Sequence, residues 1–278
     1  MLALLIETIK QRGGYLTTKR MRLTNRDIYT LKMLDKVRVL DVPTAVICCG
    51  FTRENKCRDR FAILTKAGYI QYEQDSIISK RYYSIAQKGM NCLFPPVFRN
   101  GRWREKKPPK LIKANINHEL FVAKLLAKVL NDTPDLQLDE VVTDRDLLKQ
   151  TNWKELKYGN NVNHLCDLYI EKYRVKIEVE LNLKKITRLM KNIRSNGKDY
   201  MQVWICGNKT ILYKIEDFIK VNPSFNIKVI LATELEDQII DCKELYQEFL
   251  NRNPDFLKEM EYIEELRRRK AQQMKMDI

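Results

Sequence analysis

The sequence predicts an α/β protein of two dissimilar parts: a basic α+β unit followed by a mixed-sheet α/β domain. Three observations predict this. Charge is divided unevenly, with 24 Lys and Arg against 9 Asp and Glu in residues 1–115, but 27 of each in residues 116–278. A segment of nineteen residues, 95–113, holds four prolines, a glycine and seven Lys or Arg, and so separates the parts. Beyond it, hydrophobic spacing alternates between the helical period and the period of two. The expected divisions are 1–94 (basic α+β unit), 95–115 (basic linker), 116–240 (α/β domain) and 241–278 (helical basic tail).

Bulk properties exclude several classes. No run of 18 apolar residues exists, so no membrane span is expected. The opening Met-Leu-Ala-Leu-Leu-Ile lacks a basic start and a small-residue cleavage site, and reads as the first turns of a helix that packs on the rest of the chain or on a partner. The seven cysteines, at 48, 49, 57, 92, 166, 206 and 242, show no C-x-x-C pairing, which fits reduced thiols in a cytoplasm. With two histidines, His118 and His164, structural zinc is not expected. A net charge of +15 confined to the first two-fifths of the chain favours a polyanion partner over a merely soluble basic surface.

Within that basic part, Thr24 with Asp27 three residues on forms an acidic capping box. It opens a helix to about Leu34, with Ile28, Leu31 and Leu34 as its buried stripe. Asp41-Val-Pro43 starts a second short helix, which Gly50 ends. Thr52 is expected to cap a third helix, which stops at Gly68. Cys57, Phe61 and Leu64 form its apolar stripe, while Arg53, Lys56, Arg58 and Arg60 occupy its exposed positions. Two β-rich runs follow, 69–74 and 81–85, with Lys80 and Arg81 opening the second. Three helices and a hairpin make a winged helix-turn-helix, whose third helix would enter the major groove of duplex DNA while the hairpin would rest on the backbone. Basic residues on one helix face are also common on plain solvated surfaces. No aromatic-studded RNA-binding strand is present, so DNA is favoured over RNA.

The Pro-rich segment is expected to lack regular structure. Its Arg102, Arg104, Lys106 and Lys107, with Trp103, would track a phosphate backbone. Equally, it would serve as an extended connector across both parts.

After it, a helix running from 117 to about 130 carries Val122, Ala123, Leu126 and Leu130 on its apolar stripe. Glu119 falls on the same stripe, where an unpartnered charge is costly. The plain alternative is a first-turn acid at the rim of the core. Residues 131–163 read as polar and irregular, with a strand near 138–142 and a loop at 159–161. Next come two short strands joined by a turn. Asp167 opens the first; on the second, Lys176, Glu178 and Glu180 alternate with Val175, Ile177 and Val179. Carboxylates held this close raise one another's pKa unless a cation sits among them, and hard divalent ions suit such oxygen sites. An edge strand with solvated acids is the alternative. Asn182 is expected to cap a helix to Asn196 bearing Lys184, Lys185, Arg188, Lys191 and Arg194. Strands at 201–206 and 227–231 follow, with a helix between them, then a helical tail from about 241 that ends in Arg267-Arg-Arg-Lys270.

This order of helix, three strands, basic helix, strand, helix and strand resembles the restriction-endonuclease-like PD-(D/E)XK core. Asp167 takes the strand-aspartate position, with Cys166 where many members have Pro, and Glu178 takes the acidic position. Glu180 stands where the family lysine usually stands, a role that Lys184 or Lys185 on the following helix would assume. Joined to a basic winged helix, the pattern Glu178, Glu180, Lys184 or Lys185, and Arg188 resembles the replication-relaxation and MobC-type relaxase group, in which His118 also matches a histidine at the start of the core. That resemblance implies a plasmid or conjugative-element protein that nicks one DNA strand at a transfer origin. Glu119, Asp167 and Glu178 would hold Mg²⁺ or Mn²⁺, and Glu180, Lys184, Lys185 and His118 would assist catalysis. Water is favoured over tyrosine as nucleophile. Relaxosome or replication proteins are further expected partners, and a homodimer is compatible. The rival expectation is a non-catalytic DNA-binding accessory or regulatory protein whose nuclease-like domain serves assembly, which Glu180 in the lysine position favours. A third is a transcription regulator with a ligand-binding C-terminal domain.

Overall fold

A computed structural model describes residues 21–75, 80–99, 102–109, 115–150, 165–182 and 185–258, together with residues 262, 265 and 269. The opening segment 1–6, the loop 159–161, His164, Lys184 and most of the basic run 267–270 lie outside the described residues.

The capping box at the first helix forms as expected. The Thr24 hydroxyl accepts from the Asp27 N–H at 3.3 Å, and the Asp27 carboxylate accepts from the Thr24 N–H at 2.7 Å, opening α1 (Asn25–Val37). Asp41 caps α2 (Val42–Cys49), accepting from the Thr44 N–H at 2.8 Å, and Gly50 ends it at φ 66°. The third helix, α3 (Glu54–Lys66), starts later than expected. Arg53 occupies the cap position without a side-chain bond, so Thr52 stands one residue outside capping reach. Strands β1 (Ile70–Gln74) and β2 (Arg81–Ile85) pair antiparallel, and a bridge from Leu40 to Tyr83 adds a third edge. Phe61 sits beneath them, meeting the rings of Phe51 and Tyr83 edge-on at centroid distances of 5.9 and 4.7 Å. Next comes α4 (Gln87–Leu93), pressed so closely on the start of the hairpin that a Cβ on Gly89 would lie 2.3 Å from the Tyr69 carbonyl oxygen. Only glycine permits that approach.

The Pro-rich segment is not wholly irregular. Within it β3 (Val97–Arg99) and β4 (Arg102–Arg104) pair antiparallel. The prolines bracket this stretch at 95, 96, 108 and 109, and Asn-Gly between the strands is a strong hairpin signal.

Beyond it lie α5 (Ile116–Asp132), a 3-10 turn at Leu138–Glu140, β5 (Val141–Thr143), α6 (Asp144–Gln150), β6 (Leu168–Ile170), β7 (Val175–Glu180), α7 (Ile186–Asn196), β8 (Met201–Cys206), α8 (Lys209–Val221), β9 (Ile227–Leu231) and α9 (Cys242–Arg252). Three expectations fail locally. Residues 138–140 form a 3-10 turn where a strand was expected, and the strand starts only at Val141. Residues 144–150 form a helix where irregular chain was expected, with Asp144 and Asp146 in its first turn. Asn182 does not cap α7, which begins at Ile186 with Lys185 at the cap position.

The sheet runs β5-β6-β7-β8-β9, the first two pairings antiparallel and the last two parallel, which confirms the α/β class with a mixed sheet. Period two divides its side chains. Val175, Ile177, Val179, Met201, Val203 and Ile205 join the main core with α5 and α9. Trp204 and Cys206 pack with Leu189 and Ile193 of α7 and with Ile211, Ile215 and Phe218 of α8. Buried Gln202 ties α7 to the sheet: its Nε2 donates to the Ile193 and Gly197 carbonyls at 3.0 and 2.7 Å, and its Oε1 accepts from Trp204 Nε1 at 3.0 Å. Helix α9 is therefore a layer of the α/β domain, with Leu245 and Phe249 buried in it. The same core extends without a break into the winged helix, where the Cys48 thiol donates to the Ala123 carbonyl at 3.2 Å. Among the described residues no helix is long and apolar enough to cross a membrane.

Candidate active site and nucleic-acid interface

The acidic strand is central. β7 is bonded to β6 on one side and β8 on the other, and Glu178 and Glu180 are each 2 % exposed, so the solvated edge-strand alternative does not hold. Both acids share the face of the sheet covered by α7, opposite Trp204 and Cys206 in the β7–β8 register. Burial and the charge of Glu180 push the Cys206 thiol up to about 12, keeping it neutral. Lys176, two positions before Glu178, is turned away from the acids. Its ammonium donates to the Asn196 carbonyl at 2.7 Å and lies 3.8 Å from the Tyr200 ring centroid, at the negative end of α7. Burial holds its pKa below the usual lysine value.

Asp167 stands one position beyond the last β6–β7 pair, Leu168 with Ile177, and hence opposite Glu178. Because β6 stops there, β7 would leave backbone groups open, and two side chains replace the missing strand. Asp167 Oδ2 accepts from the Val179 N–H at 2.7 Å, and His118, from the first turn of α5, stands against the Val179 carbonyl. His118 Nε2 lies 3.5 Å from Asp167 Oδ1. Burial would depress the imidazole pKa, but the hydrogen bond to Asp167, the charges of Asp167 and Glu119 and the Val179 carbonyl outweigh it and raise it to about 9. His118 is thus an imidazolium at neutral pH.

Glu119 is buried, as its place on the apolar stripe requires, yet its carboxylate is engaged by the Arg38 guanidinium, which also bonds Asp144 at 2.6 Å. Burial keeps the Glu119 carboxyl above its usual range despite that cation. Arg38 caps the C-terminus of α1 at φ 66°, a left-handed conformation, so the winged helix supplies the counter-charge. The expected acids therefore fall into three settings: Glu119 on Arg38, Asp167 on Val179 and His118, and Glu178 with Glu180 under α7. Among the described residues no group of three or more His, Cys, Asp or Glu side chains is spaced to hold a metal ion.

The basic side chains expected to meet DNA are also divided. On α3, Arg53 and Lys56 are exposed; Arg58 is exposed and shared with Glu54 and Asn55. Arg60 is not on the open face, for it grips the buried Asp27 with two nitrogens, Nε at 2.7 Å. Although burial alone would raise the Asp27 pKa, that grip and the Thr24 bonds lower it. Between α3 and the wing lies a groove of about 460 Å³ lined by Arg58, Ala62, Gln74, Lys80 and Arg81. Lys80 bonds Asp41 at 2.7 Å and Arg81 stacks on Tyr72 at 4.9 Å. Arg102, Arg104, Lys107, Lys185 and Arg188 are exposed, whereas Lys106 lies over the Phe94 ring 3.5 Å from Asp35.

Arg38, Asp144 and Lys176 were not among the expected site residues. Only the misplaced charge of Glu119 on an apolar stripe called for a cation; nothing local to Arg38 says that it reaches eighty residues on. No protein-family model, curated protein or solved structure matches the chain.

Proposed function

We propose that the winged-helix half binds duplex DNA and that the sheet domain cuts one strand of it, as a nickase of relaxase type from a plasmid or conjugative element. The observation that carries the proposal is that Asp167, one position beyond the last β6–β7 pair, falls opposite Glu178 of central β7, whose Glu180 is buried on the same face. The order of α5, β5, β6, β7, α7 and β8, interrupted by α6 between β5 and β6, supports a PD-(D/E)XK-like reading.

The donors suit Mg²⁺ or Mn²⁺, ions that take oxygen ligands, commonly one or two carboxylates completed by water and substrate phosphate. Asp167 and Glu178 would hold it; Glu119, committed to Arg38, would not. Such an ion, when bound, polarises a phosphate and stabilises its leaving oxygen. Lys184 or Lys185, with Arg188, would offset charge on the phosphate, and His118 orients Asp167.

A second reading, a DNA-binding accessory protein without cleavage, is favoured by Arg38 neutralising Glu119 and by Glu180 at the expected lysine position. A supercoiled plasmid carrying the element's own transfer origin, incubated with protein and Mn²⁺, separates them. Nicking that is lost in Asp167→Ala and Glu178→Ala supports the enzyme. Nicking that persists in both variants sinks the site. Binding with no nicking under any divalent metal selects the accessory role.

A further inference from the structure

The ribbon β3–β4 is built unlike the rest of the surface. Its register pairs Val97 with Arg104, Phe98 with Trp103, and Arg99 with Arg102. The period of two therefore places Phe98 and Trp103 on one face and the three arginines on the other. The two rings meet edge-on at 5.4 Å between centroids, yet Phe98 is 58 % and Trp103 68 % exposed. Among the described residues no acid pairs with Arg99, Arg102 or Arg104. The foot of the ribbon, by contrast, is fixed. Gln87 Nε2 donates to the Lys106 carbonyl at 3.1 Å, Asn91 Nδ2 donates to Glu105 at 2.9 Å, and Lys106 lies on Phe94. An arm rooted on α4 of the winged helix thus presents two aromatic rings and three arginines to solvent.

We infer that this ribbon is a stacking platform for unpaired bases of DNA held open beside the duplex on the winged helix. The inference rests on the DNA-binding proposal above. Charge complementarity selects a polyanion, and the division of faces selects its unpaired form. In a duplex the base faces are covered by their neighbours, which leaves Phe98 and Trp103 only sugar edges to meet. An unpaired strand offers open π-faces to the aromatic side while its phosphates reach Arg99, Arg102 and Arg104. Stacking of this kind tolerates any base sequence.

Fluorescence anisotropy with the full-length protein tests this on two probes: a fluorescein-labelled duplex and the same duplex with a short internal bubble. The bubble should bind about tenfold more tightly. Trp103→Ala should bring the bubble affinity down to that of the duplex, abolishing the preference, and Trp103→Phe should keep most of it. An unchanged melting temperature, expected for so exposed a side chain, shows that the variant is folded. Equal affinity of the wild type for both probes overturns the platform and leaves duplex binding standing. Loss of duplex and bubble affinity together in Trp103→Ala also overturns it. Failure of the wild type to bind either probe overturns the DNA-binding proposal itself.

Discussion

His118 is a residue whose protonation at neutral pH the fold changes. Its ordinary pKa of 6.5 rises to about 9 because Asp167 and the Val179 carbonyl sit against it. A folded-state pKa above the unfolded one means that protonation favours the folded chain. The contribution is complete below about pH 6.5 and disappears as pH climbs through about 9. His118→Gln keeps a hydrogen-bond donor but no titratable charge. Its urea midpoint should lie furthest below that of the wild type near pH 6, and the gap should close toward pH 10. A gap that stays constant across that range would show that the imidazolium adds nothing beyond a neutral donor. Arginine pairs repeat the theme: Arg60 on Asp27 and Arg38 on Glu119 each answer a carboxylate that folding has taken out of water.

Elements separate what a sequence can state from what only three dimensions supply. Capped helices were legible: the Thr24–Asp27 box, Asp41 with Pro43 and Gly50 delimit α1 and α2 through bonds spanning three or four residues. β7 was legible through period two, and its centrality follows from apolar Val175, Ile177 and Val179. Contacts between distant residues were not legible. Arg60 has the spacing of an exposed α3 position, but α1 covers it, and no local pattern records that Asp27 lies beneath. The ribbon was hidden by its own prolines, which mark its borders. The consequence for α3 can be measured. Lys56→Ala should weaken duplex binding and flatten its salt dependence with no change in melting temperature. Arg60→Ala should act first on stability, by about 1–3 kcal/mol, since it strands the hydrogen-bonding demand of Asp27. If Arg60→Ala leaves the melting temperature untouched and alone reduces affinity, the helix meets DNA with the other side.

At the scale of the whole molecule, the basic and neutral parts are chemically distinct yet share one core and a charged seam. Arg145 pairs with Asp35 at 2.7 Å, Lys36 with Asp146 at 2.8 Å, and Arg38 with both Asp144 and Glu119. Every pair joins α1 to α5 or α6. A line of contacts thus runs from the end of α1 through Arg38 to Glu119, then by the adjacent His118 to Asp167 and the Val179 backbone of the acidic strand. Halves so joined should unfold together, in one transition that fluorescence and circular dichroism report at the same denaturant concentration. Arg38→Ala would leave Glu119 and Asp144 facing one another without their cation, at a cost of about 3–5 kcal/mol. Arg38→Gly loses the same pair but relieves the left-handed backbone, which is worth about 1 kcal/mol. Glycine should therefore be the milder substitution, and adding Glu119→Gln to Arg38→Ala should recover part of the loss. Two separated transitions in the wild type would show that the seam does not couple the halves. An Arg38→Ala variant as stable as the parent would show that the three charges are solvated independently.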